Sequence, residues 1–152
     1  MNIYFNAEKE NGIKHKLRIE TPNLEFGGNE TVLIVEDDDM LLDIQMLTLE
    51  RFGYKVLSAS TCSFAQMIAQ DNVGKIDLLL TDVILPEMNG KELAEKISAF
   101  CPEMHVLFMS GHTADIIANK GIICNDSNFI QKPFNSKALV SKVREVLSAK
   151  VT

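Results

Sequence analysis

From Glu30 onward, short and nearly uninterrupted apolar runs alternate with segments of helical periodicity, five times over. The runs Val32–Val35, Tyr54–Ala59, Ile76–Thr81, Val106–Met109 and Phe129–Gln131 read as strands. Between and after them, helices are expected over Met40–Phe52, Ser63–Gln70, Lys91–Phe100, Thr113–Asn119 and Ser136–Ala149. Leu42, Met46 and Leu49 form one stripe of the first helix, and Gly53 punctuates its end. Phe64, Met67 and Ile68 are the apolar residues of the second, Cys101-Pro102 stops the third, and Gly121 ends the fourth. A strand that is apolar at every position has no polar face to show to water, so it must be covered on both sides. That condition is met by a parallel sheet with helices on both faces, a doubly wound α/β domain. In such a sheet, ligand sites form at the carboxyl ends of the strands.

Residues 1–29 do not follow this rhythm. Ile3-Tyr4-Phe5 is strand-like, Leu17 and Ile19 alternate with Lys16, Arg18 and Glu20, and Asn11-Gly12 between them favours a tight turn. A small hairpin is expected there, followed by a linker through Thr21-Pro22-Asn23 and Gly27-Gly28-Asn29. The expected division is an N-terminal extension or linker over 1–29 and one domain over 30–152. The charge agrees with it, since 1–29 is neutral and the net charge of −6 falls entirely in 30–152.

The first apolar run ends in four consecutive acids, Glu36-Asp37-Asp38-Asp39. Carboxylates crowded at a sheet edge raise one another's pKa unless a cation neutralises them, and a hard divalent cation with oxygen ligands is the natural partner. The other strand ends deliver complementary groups: Asp82 after the third, Ser110-Gly111 after the fourth and Lys132-Pro133 after the fifth. Not all four acids belong to the cation. An acid just ahead of a helix satisfies free N–H groups, so Asp38 or Asp39 is expected to cap the first helix.

These blocks occur in a familiar order. Val-Leu-Ile-Val-Glu-Asp-Asp, Leu-Leu-Thr-Asp-Val-Ile-Leu-Pro-Glu-Met-Asn-Gly, Leu-Phe-Met-Ser-Gly-His and Phe-Ile-Gln-Lys-Pro-Phe together resemble the receiver domain of two-component response regulators. The resemblance spans about Thr31–Ala149, roughly four-fifths of the chain. It implies a (βα)5 flavodoxin-like fold with a five-stranded parallel sheet. It implies that Asp82 is the phosphoacceptor, taking a phosphoryl group from phosphohistidine. Mg²⁺ would be held by Asp37, Asp82 and the backbone carbonyl of Ile84, with Glu36 acting partly through water. Lys132 would bind a phosphoryl oxygen and Ser110 would hydrogen-bond the other side. Such a cation and lysine suit a loose phosphoryl transition state, whose charge they neutralise.

The resemblance carries further expectations. Lys132-Pro133 is expected to be cis, and Gly90 to supply a backbone conformation that a Cβ hinders. Phe129 stands where many regulators place a switch aromatic, without a hydroxyl to link its rotation to a hydrogen bond. Ile84 and His112 stand where receivers tune the lifetime of the phosphoryl group, and apolar Ile84 predicts slow self-dephosphorylation. Partners implied are a sensor histidine kinase or a histidine phosphotransfer protein. The face of the fourth helix, fifth strand and fifth helix is implied as a docking or homodimer surface. The closing segments are most similar to receivers at the C-terminus of hybrid histidine kinases, with Ile3-Tyr4-Phe5 resembling the last strand of a kinase ATP-binding domain. Only Lys150-Val151-Thr152 follow the last helix, so no DNA-binding output domain is expected after it.

Two other classes fit less well. A Mg²⁺-dependent phosphatase of the haloacid-dehalogenase type needs an acid two residues beyond its nucleophile, and Val83-Ile84 follow Asp82. A pseudo-receiver, acting as a binding module without phosphorylation, would lack a core residue, and none is missing. The acidic balance, pI near 5.0, argues against nucleic acid as a partner. Cys62, Cys101 and Cys124 form no paired or zinc-ligating pattern, which fits reduced thiols and a cytoplasmic location. No basic-then-apolar leader and no apolar run near the ~20 residues needed to span a bilayer is visible, so no direct membrane insertion is expected.

Overall fold

The computed structural model describes residues 27–111 and 128–149. The strands are β1 (Thr31–Val35), β2 (Lys55–Ala59), β3 (Leu78–Asp82), β4 (His105–Ser110) and β5 (Phe129–Gln131). The helices are α1 (Asp39–Arg51), α2 (Cys62–Asp71), α3 (Gly90–Ser98) and α4 (Ser136–Ser148). The helix expected over 113–119, together with Gly121, His112 and Cys124, lies outside the described residues, as does the hairpin expected near the N-terminus.

The five strands lie in the order β2-β1-β3-β4-β5, and every neighbouring pair is parallel. The doubly wound parallel sheet expected from the apolar runs is therefore present. Side chains alternate across the sheet. Leu33, Val35 and Leu79 face one layer, with Ala65 and Ala69 of α2 and Leu93 and Ile97 of α3. Val32, Ile34, Leu78 and Leu80 face the other, with Leu42 and Leu49 of α1 and Leu139, Val140 and Val143 of α4. Burial on both faces is what requires Val32–Val35 of β1 and Leu78–Leu80 of β3 to be apolar.

The sequence places the helix starts as well. Asp38 caps α1 by accepting from the Met40 and Leu41 N–H groups at 3.0 and 3.2 Å. Thr61 caps α2, Asn135 caps α4, and Asn89 with Glu92 forms a reciprocal capping box at α3. Gly53, at φ 96°, ends α1 in the left-handed region, as the punctuation there predicts.

Boundaries shift by a residue or two, and two assignments differ in substance. Asp82 and Ser110 lie within β3 and β4, because the ladders continue through Asp82↔Met109 and Ser110↔Gln131. In α2 the inward residues are Cys62, Ala65 and Ala69, while Phe64 and Met67 are exposed. Small residues there let α2 lie close to the sheet, which turns the larger apolar side chains outward. Phe129 is half-buried, packs against the α2–α3 layer and pairs in register with Phe108.

Segment 27–30 is fastened to the sheet edge from which β1 starts. The Gly28 N–H donates to the Phe52 carbonyl at 3.2 Å. From α4, the Arg144 guanidinium donates to the Gly27 carbonyl at 3.1 Å and to Glu30 Oε2 at 2.7 Å, and also reaches the Tyr54 hydroxyl. The Arg144 bond holds Glu30 below the usual carboxylate range.

Candidate functional site

Successive elements leave β1 on opposite sides. The chain passes from β1 to β2 on one flank and reaches β3 on the other. A crevice therefore opens beyond the carboxyl ends of β1 and β3, where the winding reverses. Glu36 and Asp37 enter it from the end of β1, and Asp82 from the end of β3.

The three carboxylates offer oxygens that all lie within 4.8 Å of one another. Glu36 is 1 % exposed and Asp82 5 %, whereas Asp37 is exposed at the rim. Lys132, at the end of β5, places Nζ 2.8 Å from Glu36 Oε1 and 2.7 Å from Asp82 Oδ1. Its peptide bond to Pro133 is cis, as expected. Ser110, buried at the end of β4, completes the group. Asp37, Asp82, Ile84, Ser110 and Lys132 line a shallow cavity of about 180 Å³. Glu36, Asp37, Asp82, Ile84, Ser110 and Lys132 are thus brought to one place, while His112 lies outside the described residues.

The electrostatics follow from burial and crowding. Burial, then the hydrogen bond and charge of Glu36, push the Asp82 carboxyl up to about 8, against the pull of Lys132. Burial also works against charge on Glu36. The hydrogen bond with Asp82 and the Lys132 ammonium outweigh it, leaving Glu36 below the usual carboxylate range. Burial works against the Lys132 charge in turn, and its bonds to Asp82 and Glu36 hold the ammonium above the usual lysine value. One buried proton and one ammonium thus hold down the repulsion among the acids. Oxygen donors alone, with more negative charge than one lysine neutralises, fit a hard divalent cation. Glu36, Asp37 and Asp82 are the residues that could hold it.

The loop after β3 is held by close backbone packing. The Gly90 N–H donates to the Val83 carbonyl at 2.7 Å, and Ile84 bridges to Asn89. A Cβ on Gly90 would fall against the Asp82 carbonyl, with the Asp82 carbonyl carbon only 3.1 Å away. Gly90 is therefore needed for close approach, in line with the expectation that a Cβ would hinder the backbone there, and it lies in the first turn of α3 without a left-handed φ.

Two residues of this region escaped the sequence reading. Glu87 accepts from the Cys62 N–H at 2.5 Å and from the Ser63 hydroxyl at 3.0 Å, tying the loop after β3 to the start of α2. Those donors hold Glu87 below the usual carboxylate range. Burial, then the charge of Glu87, push the Cys62 thiol up to about 11, so it stays protonated. Gln45, on the buried face of α1, donates from Nε2 to Glu36 Oε1 at 3.2 Å.

Residues 32–144 match the model of the response regulator receiver domain. The chain belongs to this family. The receiver is 32% identical over 123 residues to the sensor kinase CckA of Brucella abortus, covering 81% of this chain and 13% of that protein. It is 30% identical over 118 residues to the response regulator receiver protein CpdR of the same organism, covering 78% of this chain and 97% of that one. Against the regulator NtrC of Azospirillum brasilense the receiver spans 24% of the length. Among solved structures, the receiver domain of the hybrid histidine kinase CckA superposes with a TM-score of 0.65 at 31% identity. That match covers 78% of this chain and 99% of the other. A receiver protein of Sinorhizobium medicae superposes at 0.68 with 29% identity, covering 80% and 96%. The receiver is thus a signalling module of two-component systems with CheY-like architecture. Among the described residues, no helix is long and apolar enough to cross a membrane.

Proposed function

We propose that the receiver accepts a phosphoryl group on Asp82 from a phosphohistidine, with Mg²⁺ in the acidic crevice, and signals through the change that follows. The observation that carries this reading is the meeting of three carboxylates, with oxygens within 4.8 Å of one another, and an ammonium 2.7 Å from Asp82. Asp37, Asp82 and the Ile84 carbonyl would hold the cation, with Glu36 acting partly through water. Bound there, Mg²⁺ supplies the positive charge that lets an anionic carboxylate approach an anionic phosphoryl group.

The chain's own residues supply the rest. An Asp82 oxygen attacks phosphorus and forms the P–O bond of an acyl phosphate. The P–N bond to histidine breaks, and its electron pair returns to the imidazole nitrogen. Lys132 turns from the carboxylates to a phosphoryl oxygen as a point charge. The Ser110 hydroxyl donates to another. The acyl phosphate carries about −1.5 to −2 charge where the carboxylate carried one, a gain on a buried edge that is enough to shift a two-state surface.

The donor is a sensor histidine kinase or a histidine phosphotransfer protein, as receiver membership implies. Residues 30–152 form the receiver and 1–29 an extension or linker. Its place is the cytoplasm, and any self-association would use the face of β5 and α4; the fourth helix expected over 113–119 lies outside the described residues. Incubation with acetyl phosphate and Mg²⁺, read by intact mass, tests the central claim. Wild type is expected to gain one phosphoryl group and Asp82→Ala none. No gain in wild type, or an undiminished gain in Asp82→Ala, refutes it.

A further inference from the structure

The buried face of α1 carries one residue that packing alone does not explain. Gln45 is 3 % exposed and shares that face with Leu42, Thr48 and Leu49. Its Nε2 donates to Glu36 Oε1 at 3.2 Å, while its own Oε1 meets no partner among the described residues. A buried acceptor left unpaired lowers stability. Turning the amide over does not relieve it, because the carbonyl would then face a carboxylate. An apolar side chain of the same length would fill this space without that cost. The position therefore keeps the amide for its bond to Glu36.

Glu36 needs that bond because its other strong partner has a second role. Oε1 takes both Gln45 Nε2 and Lys132 Nζ, the latter at 2.8 Å, and Oε2 takes the Asp38 N–H at 3.3 Å. Lys132 is also 2.7 Å from Asp82. Negative charge added at Asp82 draws the lysine away from Glu36. The amide of Gln45 is neutral and fixed in the second turn of α1, so it does not follow. With Lys132 turned away, Gln45 is the side-chain donor that remains on Glu36 among the described residues.

We propose that Gln45 is a positioning residue of the phosphorylation site. Its carboxamide holds the Glu36 carboxylate in place toward the metal-binding crevice when Lys132 turns to the phosphoryl group. The inference rests on the phosphoacceptor reading above. Hydrogen-bond partners that orient metal-binding groups commonly set affinity by about 10–100-fold. The unpaired carbonyl separates this role from a packing role, because removing the amide then moves stability and metal affinity in opposite directions.

Gln45→Met and Gln45→Leu in the full chain test it, by thermal melting without metal and by calorimetric titration with Mg²⁺. The expected result is a melting temperature equal to or above wild type, with Mg²⁺ binding about tenfold weaker. Mg²⁺ affinity equal to wild type overturns the proposal. A fall in melting temperature in both variants also overturns it, since Gln45 then serves the core. Wild type and Asp82→Ala are carried through the acetyl phosphate assay in parallel. A wild type that gains no phosphoryl group defeats the phosphoacceptor reading, and this inference falls with it. A wild type that gains one while the Gln45 variants bind Mg²⁺ normally defeats the inference alone.

Discussion

Mg²⁺ binding to this receiver is expected to weaken steeply as pH falls below about 8. Asp82 is raised to about 8 in the metal-free protein by burial and by Glu36. A carboxyl that keeps its proton cannot serve as an anionic ligand, so binding must release that proton. For one such group, apparent affinity falls about tenfold per pH unit below its pKa. From pH 9 to pH 6 that amounts to roughly 100-fold, or about 2.7 kcal/mol. Calorimetry in buffers of different ionisation enthalpy measures affinity and proton release together. About one proton per Mg²⁺ is expected at pH 6 and almost none at pH 9. An affinity that is flat from pH 6 to 9, or an Asp82→Asn variant with the same pH dependence as wild type, refutes the reasoning.

The same proton gives the metal-free protein an opposite stability trend. The folded state keeps a proton on Asp82 between about pH 4 and 8 that the unfolded chain has lost. The contribution of Asp82 to stability without metal is therefore fully present below about pH 4 and is lost as pH rises through about 8. Glu36, lowered in the folded state, contributes in the other sense, and only where pH falls through its own depressed value. Saturating Mg²⁺ abolishes the Asp82 trend, because the bound cation takes over what the proton does.

Three further outcomes are expected. Ile84→Asn, which places an amide on a half-exposed residue beside Asp82, speeds phosphoryl loss by up to about 100-fold by orienting a water; equal lifetimes for variant and wild type sink the idea. Gly90→Ala forces a methyl group against the Asp82 carbonyl, and loses roughly 1–3 kcal/mol in urea denaturation together with slower acetyl phosphate uptake; an unchanged midpoint and rate contradict the close-approach reading. Arg144→Ala releases Gly27 and Glu30 at the sheet edge opposite the site and costs about 1–3 kcal/mol with phosphorylation unchanged, while Arg144→Lys restores little because it lacks the guanidinium fork; full recovery by lysine counts against the clamp.

The legibility of this fold tracks the distance over which each cause acts. Strands, caps and the glycine at the end of α1 are set by neighbouring residues, so Val32–Val35, Asp38 and Gly53 announce themselves. Glu36, Asp82, Ser110 and Lys132 are legible for another reason, since each stands at the end of an apolar run and a parallel sheet gathers such ends at one edge. Thr48 looks like an interruption of the apolar stripe, yet it is buried because its hydroxyl bonds the Ile44 carbonyl one turn back at 2.8 Å. Gln45, Glu87 and Arg144 carry no such signal. Their partners are Glu36, the start of α2 and segment 27–30, and nothing in the residues beside them marks those contacts.

The run Glu36-Asp37-Asp38-Asp39 shows how little adjacency in the chain implies about shared environment. The chain leaves β1 there, and successive side chains diverge. Glu36 turns into the interior between Lys132 and Gln45, Asp37 stays at the rim, Asp38 folds onto the α1 amides, and Asp39 begins the helix. The acid that completes the crevice is Asp82, which comes from another strand. It meets Glu36 because β3, and not β2, lies on that flank of β1. The acidic run marks where a site begins, and the reversal of winding between β1 and β3 decides which acids share it. A charge change at Asp37 should therefore alter metal binding with little effect on folding. One at Glu36 must disturb both, because Glu36 alone of the four is buried with Lys132 and Gln45 closed around it.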